Sequence, residues 1–198
     1  MERALPSGGI FWRVLGAWAD LRGSMRAELA RDPSEGRLLF YVMLSGLIWF
    51  AGRIAVLVYG PLGPVMPEEV FVGRVGLEFI AAIFFRTLAF YALAALAGLI
   101  ARAAGGGGGW RDSRAALFWA ALVAAPVILA ATLLSLLLTG MPGQAGAIAG
   151  MLGAVAFAWA VAQCLAEAHG FASAWRVLGA VATLVAAFVG GVYMLGRL

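Results

Sequence analysis

Two arginines stand inside stretches otherwise apolar enough to cross a bilayer, and they are the strongest pointers to chemistry in the chain. Arg53 lies within residues 38–59 and Arg86 within residues 77–101. A charged side chain in hydrocarbon is costly, about 2.5–3.5 kcal/mol at a span centre even on lenient scales, and by default marks a functional site. Consecutive spans run antiparallel, so both arginines lie about 14 or 15 residues from the same membrane face. Glu78 precedes Arg86 by eight residues, about 12 Å along a helix axis and too far for a pair within one helix. It reaches Arg53 only with extended side chains or a shifted span boundary. One reading is a polar patch of Arg53, Glu78 and Arg86 between the first two spans, holding an anion, a lipid phosphate or a file of water. The other is that both arginines snorkel to the headgroups and Glu78 sits at the interface. The sequence leaves both open.

A second group gathers where the fourth apolar stretch ends: Glu167 and His169, on the same predicted side as Arg111 and Arg114. One histidine and one acid do not hold a metal, which takes three or four ligands. With Ser135 or Ser173 they would make a hydrolytic pair, but no nucleophile motif supports one. Glu167 and His169 are therefore expected to cap the helix end and contact the Arg-rich second loop. The glycine run 105–109 lacks the Lys-Ser or Lys-Thr of a phosphate-binding loop and reads as a flexible linker. Cys164 is the single cysteine, which excludes an internal disulfide and reads as a small core residue. No catalytic residue, metal or cofactor is predicted.

The elements that position these residues are apolar helices. Of 198 residues, 64% are hydrophobic and 12% charged, too few charges to cover a soluble surface. Five stretches, about 38–59, 77–101, 115–138, 145–166 and 175–195, each hold about 20 residues or more, the length that spans hydrocarbon. The fold class predicted is all-α, an integral membrane bundle of five transmembrane helices (38–198) preceded by a cytoplasmic segment (1–37). Residues 10–31 of that segment place Phe11, Leu15, Trp18, Met25 and Leu29 on one helical stripe, with Arg13, Asp20, Arg22, Arg26 and Glu28 over the remaining circumference. Such a helix is expected to lie at the interface, in preference to packing on the protein's own face. Asp32-Pro33-Ser34 breaks it, and Ser34 is placed to cap the next helix.

The cations set the orientation. All fourteen basic residues are arginine, a bias that, with the Ala and Gly content, suggests a GC-rich bacterial genome. With the N-terminus in the cytoplasm, ten arginines fall inside and only Arg74 and Arg197 outside, so five spans leave the C-terminus outside. The arginines are dispersed along the chain, which speaks against a nucleic-acid partner and for lipid headgroups. Pro126 interrupts the third span and is expected to bend it. Gly146, Gly150, Ala154, Ala158, Ala162 and Ala166 recur every fourth residue along the fourth span, and Gly179, Thr183, Ala187 and Gly191 along the fifth. Small residues at that spacing let helix backbones approach, within the chain by default and between copies or with another membrane protein as the alternative.

Three features together resemble the Yip family (Ypt/Rab-interacting, Yip-domain membrane proteins), particularly its short bacterial branch. These are the five-span layout with a cytoplasmic N-terminus, the passage from Gly109-Trp110-Arg111 through Ala115, Leu117 and Trp119 to Ala125-Pro126, and the exit Ala166-Glu167-Ala168-His169-Gly170-Phe171 leading to Ala174-Trp175-Arg176. The resemblance covers residues 38–198. It implies the five-span fold, a membrane address and a scaffolding or membrane-organising role. The short N-terminal segment lacks the aspartate-and-proline motif of the longer members, which argues against GTPase binding here.

Overall fold

The computed structural model of the chain describes residues 9–60, 66–138 and 145–179. Among these, helices and turns are the only structure, with no strand. In chain order they are α1 (Ile10–Gly16), α2 (Leu21–Ala30), α3 (Glu35–Tyr59), α4 (Glu68–Ile80), α5 (Arg86–Ala103), α6 (Trp110–Leu138) and α7 (Ala145–Ala168). A π-helical turn, Ala81–Phe85, joins α4 to α5 without a break in the rod. Among the described residues, four segments are long and apolar enough to cross a membrane: Glu35–Tyr59, Glu68–Ala103, Trp110–Leu138 and Gly146–Ala168. The second begins well before the predicted residue 77, because Pro67 and the first-turn acids Glu68 and Glu69 suit a helix start. The fifth predicted span, 175–195, begins in the helical residues 174–179 and otherwise lies outside the described residues, as do Thr183, Ala187, Gly191 and Arg197.

α6 is the centre. Ser113 and residues 115–125 are all buried, because α3, α5, α7 and α2 enclose this half of the helix. Its alanines allow that crowding, and Phe118 and Trp119 fill the remaining space. The helix runs on through Pro126, and beyond it most side chains are half-buried or exposed as the neighbours thin out.

The N-terminal segment departs from expectation. The predicted helix 10–31 is two helices, separated by a 3-10 turn at Ala17–Ala19 and a break at Asp20, whose carboxylate caps α2 by accepting from the Gly23 N–H at 2.8 Å. The break splits the apolar stripe. Phe11 and Leu15 of α1 remain exposed, whereas Met25 is fully buried and Trp18 and Leu29 pack on the core. α2 therefore rests on α6 and α7. Ser34 caps α3 as predicted, accepting from the Arg37 N–H at 3.4 Å.

The glycine run is a fitted turn and not a loose linker. Gly106 N donates to Ala101 O at 2.8 Å, Gly107 N to His169 O at 3.1 Å and Gly109 N to Asp112 Oδ2 at 2.8 Å. A side chain at Gly106 would begin 2.9 Å from the Ala101 carbonyl and from His169 Cβ, and Gly105 has φ +86°. Only glycine fits this approach to the end of α7.

The small-residue series on α7 also needs correction. Gly150 and Ala154 are exposed and Gly146 is half-buried, while Ala162 and Ala166 are buried. Each four-residue step rotates by about 40° around a helix of 3.6 residues per turn, so the series cannot keep to one face. The close approach to α6 is made by Gly153, where a Cβ would lie 3.3 Å from Ile128 Cα, and by the buried Ala149 and Ala160.

Candidate functional site

The buried polar groups concentrate where α2 crosses the ends of α6 and α7, termed here the Arg-rich end. Glu28 is fully buried and accepts from the Arg13 guanidinium, from Tyr41 Oη at 2.5 Å and from Arg31 at 3.4 Å. Arg13 lies over the Trp119 ring at 5.1 Å, and Trp119 Nε1 donates to Ser24 Oγ at 3.1 Å. Trp18 Nε1 donates to the Val123 carbonyl at 3.1 Å. A buried carboxylate is tolerated only when paired and hydrogen-bonded, and here the partners come from α1, α2 and α3. Three elements are thereby tied at one point. Leu21, Ser24, Met25 and Glu28 form the buried face of α2. The signal in the sequence was Glu28 falling in step with Leu21 and Met25; it reads as solvated only if the helix is kept continuous with α1.

Glu167 makes the second tie. Arg22 Nε donates to its Oε2 at 2.9 Å and Arg26 Nε to its Oε1 at 2.7 Å. Arg22 also donates to the carbonyls of Phe171 (2.7 Å) and Ala172 (3.1 Å), beyond the end of α7. Glu167 is thus joined to α2 and not to the second loop. Arg111 pairs with Asp32 at 2.8 Å and donates to Pro33 O at 2.6 Å, and Arg114 pairs with Glu35. The four residues predicted as one cluster stand in separate pairs around the same end.

His169 does meet the second loop. It is 3% exposed, its carbonyl accepts from Gly107 N, and its Nε2 lies 2.9 Å from Ser113 Oγ. Ser113 Oγ in turn donates to Gly109 O at 3.1 Å, so Nε2 carries the proton that Ser113 accepts. Nδ1 faces Gly108, where a Cβ would lie 2.9 Å away. Burial lowers the imidazole pKa below its ordinary value, with Asp112 opposing and Arg102 assisting. The unfolded chain therefore binds more protons from about pH 6.5 downward, and stability falls with pH until the folded histidine also titrates. The melting temperature is expected to drop between pH 7.5 and 5 in the wild type, and His169→Gln is expected to flatten that slope. An equal slope in both proteins would remove His169 from the account.

The charged residues within the candidate spans divide. Arg53 and Glu78 form a two-bond pair, Nε to Oε2 at 3.2 Å and the terminal nitrogen to Oε1 at 2.7 Å. Arg86 stands apart: it donates to Ser45 Oγ at 2.8 Å and Val42 O at 3.3 Å and lies 4.3 Å above the Phe90 ring. It has no carboxylate partner among the described residues. No set of three or more His, Cys, Asp or Glu side chains converges on a common point among the described residues.

The class these features define is, among the described residues, an all-helical protein with four membrane-crossing candidates and with ion pairs gathered at the Arg-rich end and at Arg53–Glu78 between the first two candidates. Comparison with protein-family models, curated proteins and solved structures finds no match.

Proposed function

We propose that the chain is a non-enzymatic multi-pass membrane protein that organises a partner or local lipid. In this reading a fifth span completes the bundle, in a bacterial cytoplasmic (inner) membrane with the N-terminus inside and the C-terminus outside. The carrying observation is the double tie of the N-terminal helices, Arg13 to Glu28 and Arg22 with Arg26 to Glu167. It makes α2 a fixed cap and leaves α1 presenting Phe11, Trp12 and Leu15 outward. An aromatic edge of this kind suits the headgroup boundary or a partner helix. The arginine asymmetry supports the orientation, and the Yip-like residues add the same scaffolding expectation. Transport is the second reading, favoured by the lack of a carboxylate partner for Arg86 among the described residues.

The test is recovery of the tagged protein from its native membrane in lipid nanodiscs, beside a Phe11→Ser/Trp12→Ser double variant. A defined membrane-protein partner, or a second copy, is expected to come with the wild type and fall about tenfold in the variant, the loss of one aromatic anchor's binding energy. Identical recovery from both, together with anion flux into liposomes that Arg86→Gln abolishes, would replace the scaffold by a transporter.

A further inference from the structure

α5 and α7 both pack on α6, and between them lies a cavity of about 520 Å³. Its walls are apolar: Leu93, Leu96 and Ile100 from α5, Phe157 and Val161 from α7, with Leu117 of α6 as floor. Phe157 closes the deep end against Phe90, with ring centroids 6.1 Å apart. The outer end is bounded by Ala104, Phe171 and Arg176. Arg176 is the one charged residue of the lining. It is exposed and forms no ion pair among the described residues. Beside it Trp175, also exposed, packs on Trp159 at 5.0 Å. A tryptophan and an arginine together mark the headgroup level.

The dimensions fit one leaflet. From Leu93 to Ala104 the wall rises about 16 Å at 1.5 Å per residue, half of the roughly 30 Å of bilayer hydrocarbon. Leu93 and Leu96 are about half exposed on the outer wall, so the cavity opens sideways to the acyl region. A side-open apolar slot one leaflet deep, with Arg176 at its mouth as the one cation of the lining, matches a molecule with an apolar tail and an anionic head.

We infer that this groove is a binding site for an anionic phospholipid of the leaflet at the Arg-rich end, its acyl chain between α5 and α7 and its phosphate on Arg176. The inference rests on the membrane embedding of the four apolar helices and not on the scaffold role. The site orders lipid against the bundle and gives the protein a preference for membrane of negative surface charge.

The experiment reconstitutes the full chain in vesicles of phosphatidylcholine with one-fifth phosphatidylglycerol, re-extracts it, and counts retained lipids by native mass spectrometry. Wild type is expected to keep one lipid, with phosphatidylglycerol favoured over its share of the vesicle. Arg176→Gln should keep a lipid but lose the preference by about fivefold, the contribution of one arginine near a charged membrane surface. Ala158→Phe, which fills the groove, should lose the lipid altogether; Leu96→Trp serves the same purpose if that variant misfolds. No retained lipid in the wild type, or unchanged retention in every folded variant, would overturn the inference. So would a cross-link from a cysteine placed at Leu96 to residues 180–198 or to a second copy, since protein would then fill the groove. Loss of the scaffold partner with lipid retention intact would touch only the proposed function.

Discussion

Replacing Glu28 with alanine is expected to cost about 3–5 kcal/mol and to release the N-terminal helices from the bundle. Glu28 is fully buried, and its carboxylate is the common acceptor for Arg13, Arg31 and Tyr41. Without it the Arg13 side chain, only 17% exposed, is left among apolar groups with no counter-charge. That penalty, and not the lost attraction, dominates the effect. The double replacement Arg13→Leu/Glu28→Leu should recover most of the loss, because an apolar pair of similar size avoids the desolvation cost. Thermal unfolding in nanodiscs measures the first quantity, and limited proteolysis within residues 10–31 reports the release. A single-variant loss under about 1 kcal/mol, the range of an exposed pair, would mean that α2 is not anchored through this residue. Because Glu167 holds α2 from the other side through Arg22 and Arg26, partial rather than complete detachment is the expected proteolytic pattern at low temperature.

The four apolar helices of the described residues were legible in the sequence because length and apolarity alone define them. The breaks at Pro33 and Gly60 were legible as well, since Pro and Gly act on the backbone locally. The polar pairings were less so. Arg53 and Glu78 could be seen as near neighbours only through a change in boundary, and α4 starts early enough to bring them together. Glu167 was matched to the wrong arginines: charge and side of the membrane narrow the candidates, but only the crossing of α2 over α7 selects Arg22 and Arg26. Glycines misled for a related reason. A glycine in sequence shows that a side chain is missing and not what stands in its place, so 105–109 read as slack although Gly106 and Gly108 stand hard against Ala168 and His169. The π-helical turn has no sequence signal at all in Ala81–Phe85, five ordinary helix-compatible residues.

That turn carries the second large effect. Gly46 of α3 faces it, and a Cβ at Gly46 would lie 2.6 Å from the Ala82 carbonyl oxygen. The obstacle is backbone and cannot rotate away, so Gly46→Ala must push α3 from the turn. A cost of about 1–3 kcal/mol is expected, as for overpacking elsewhere. The displacement also strips Arg86 of its anchor. The π-turn inserts one residue into the rod and turns everything after it by about 100°, which is how Arg86 comes to face Ser45 and Val42 on α3. Separating the helices leaves its guanidinium in the span with neither partner. Gly73→Ala is the control: it sits in α4, nothing lies within 4 Å of its added Cβ, and it should gain about 0.5–1 kcal/mol from helix propensity alone. A double-mutant cycle between Gly46→Ala and Arg86→Leu, read from melting temperatures in nanodiscs, tests the link. The two sites share Ser45 and the Ala82 turn, so their effects should fail to add by about 0.5 kcal/mol or more. Strict additivity would show that Gly46 sets only the helix spacing and that Arg86 is held by Phe90 and the membrane interface instead.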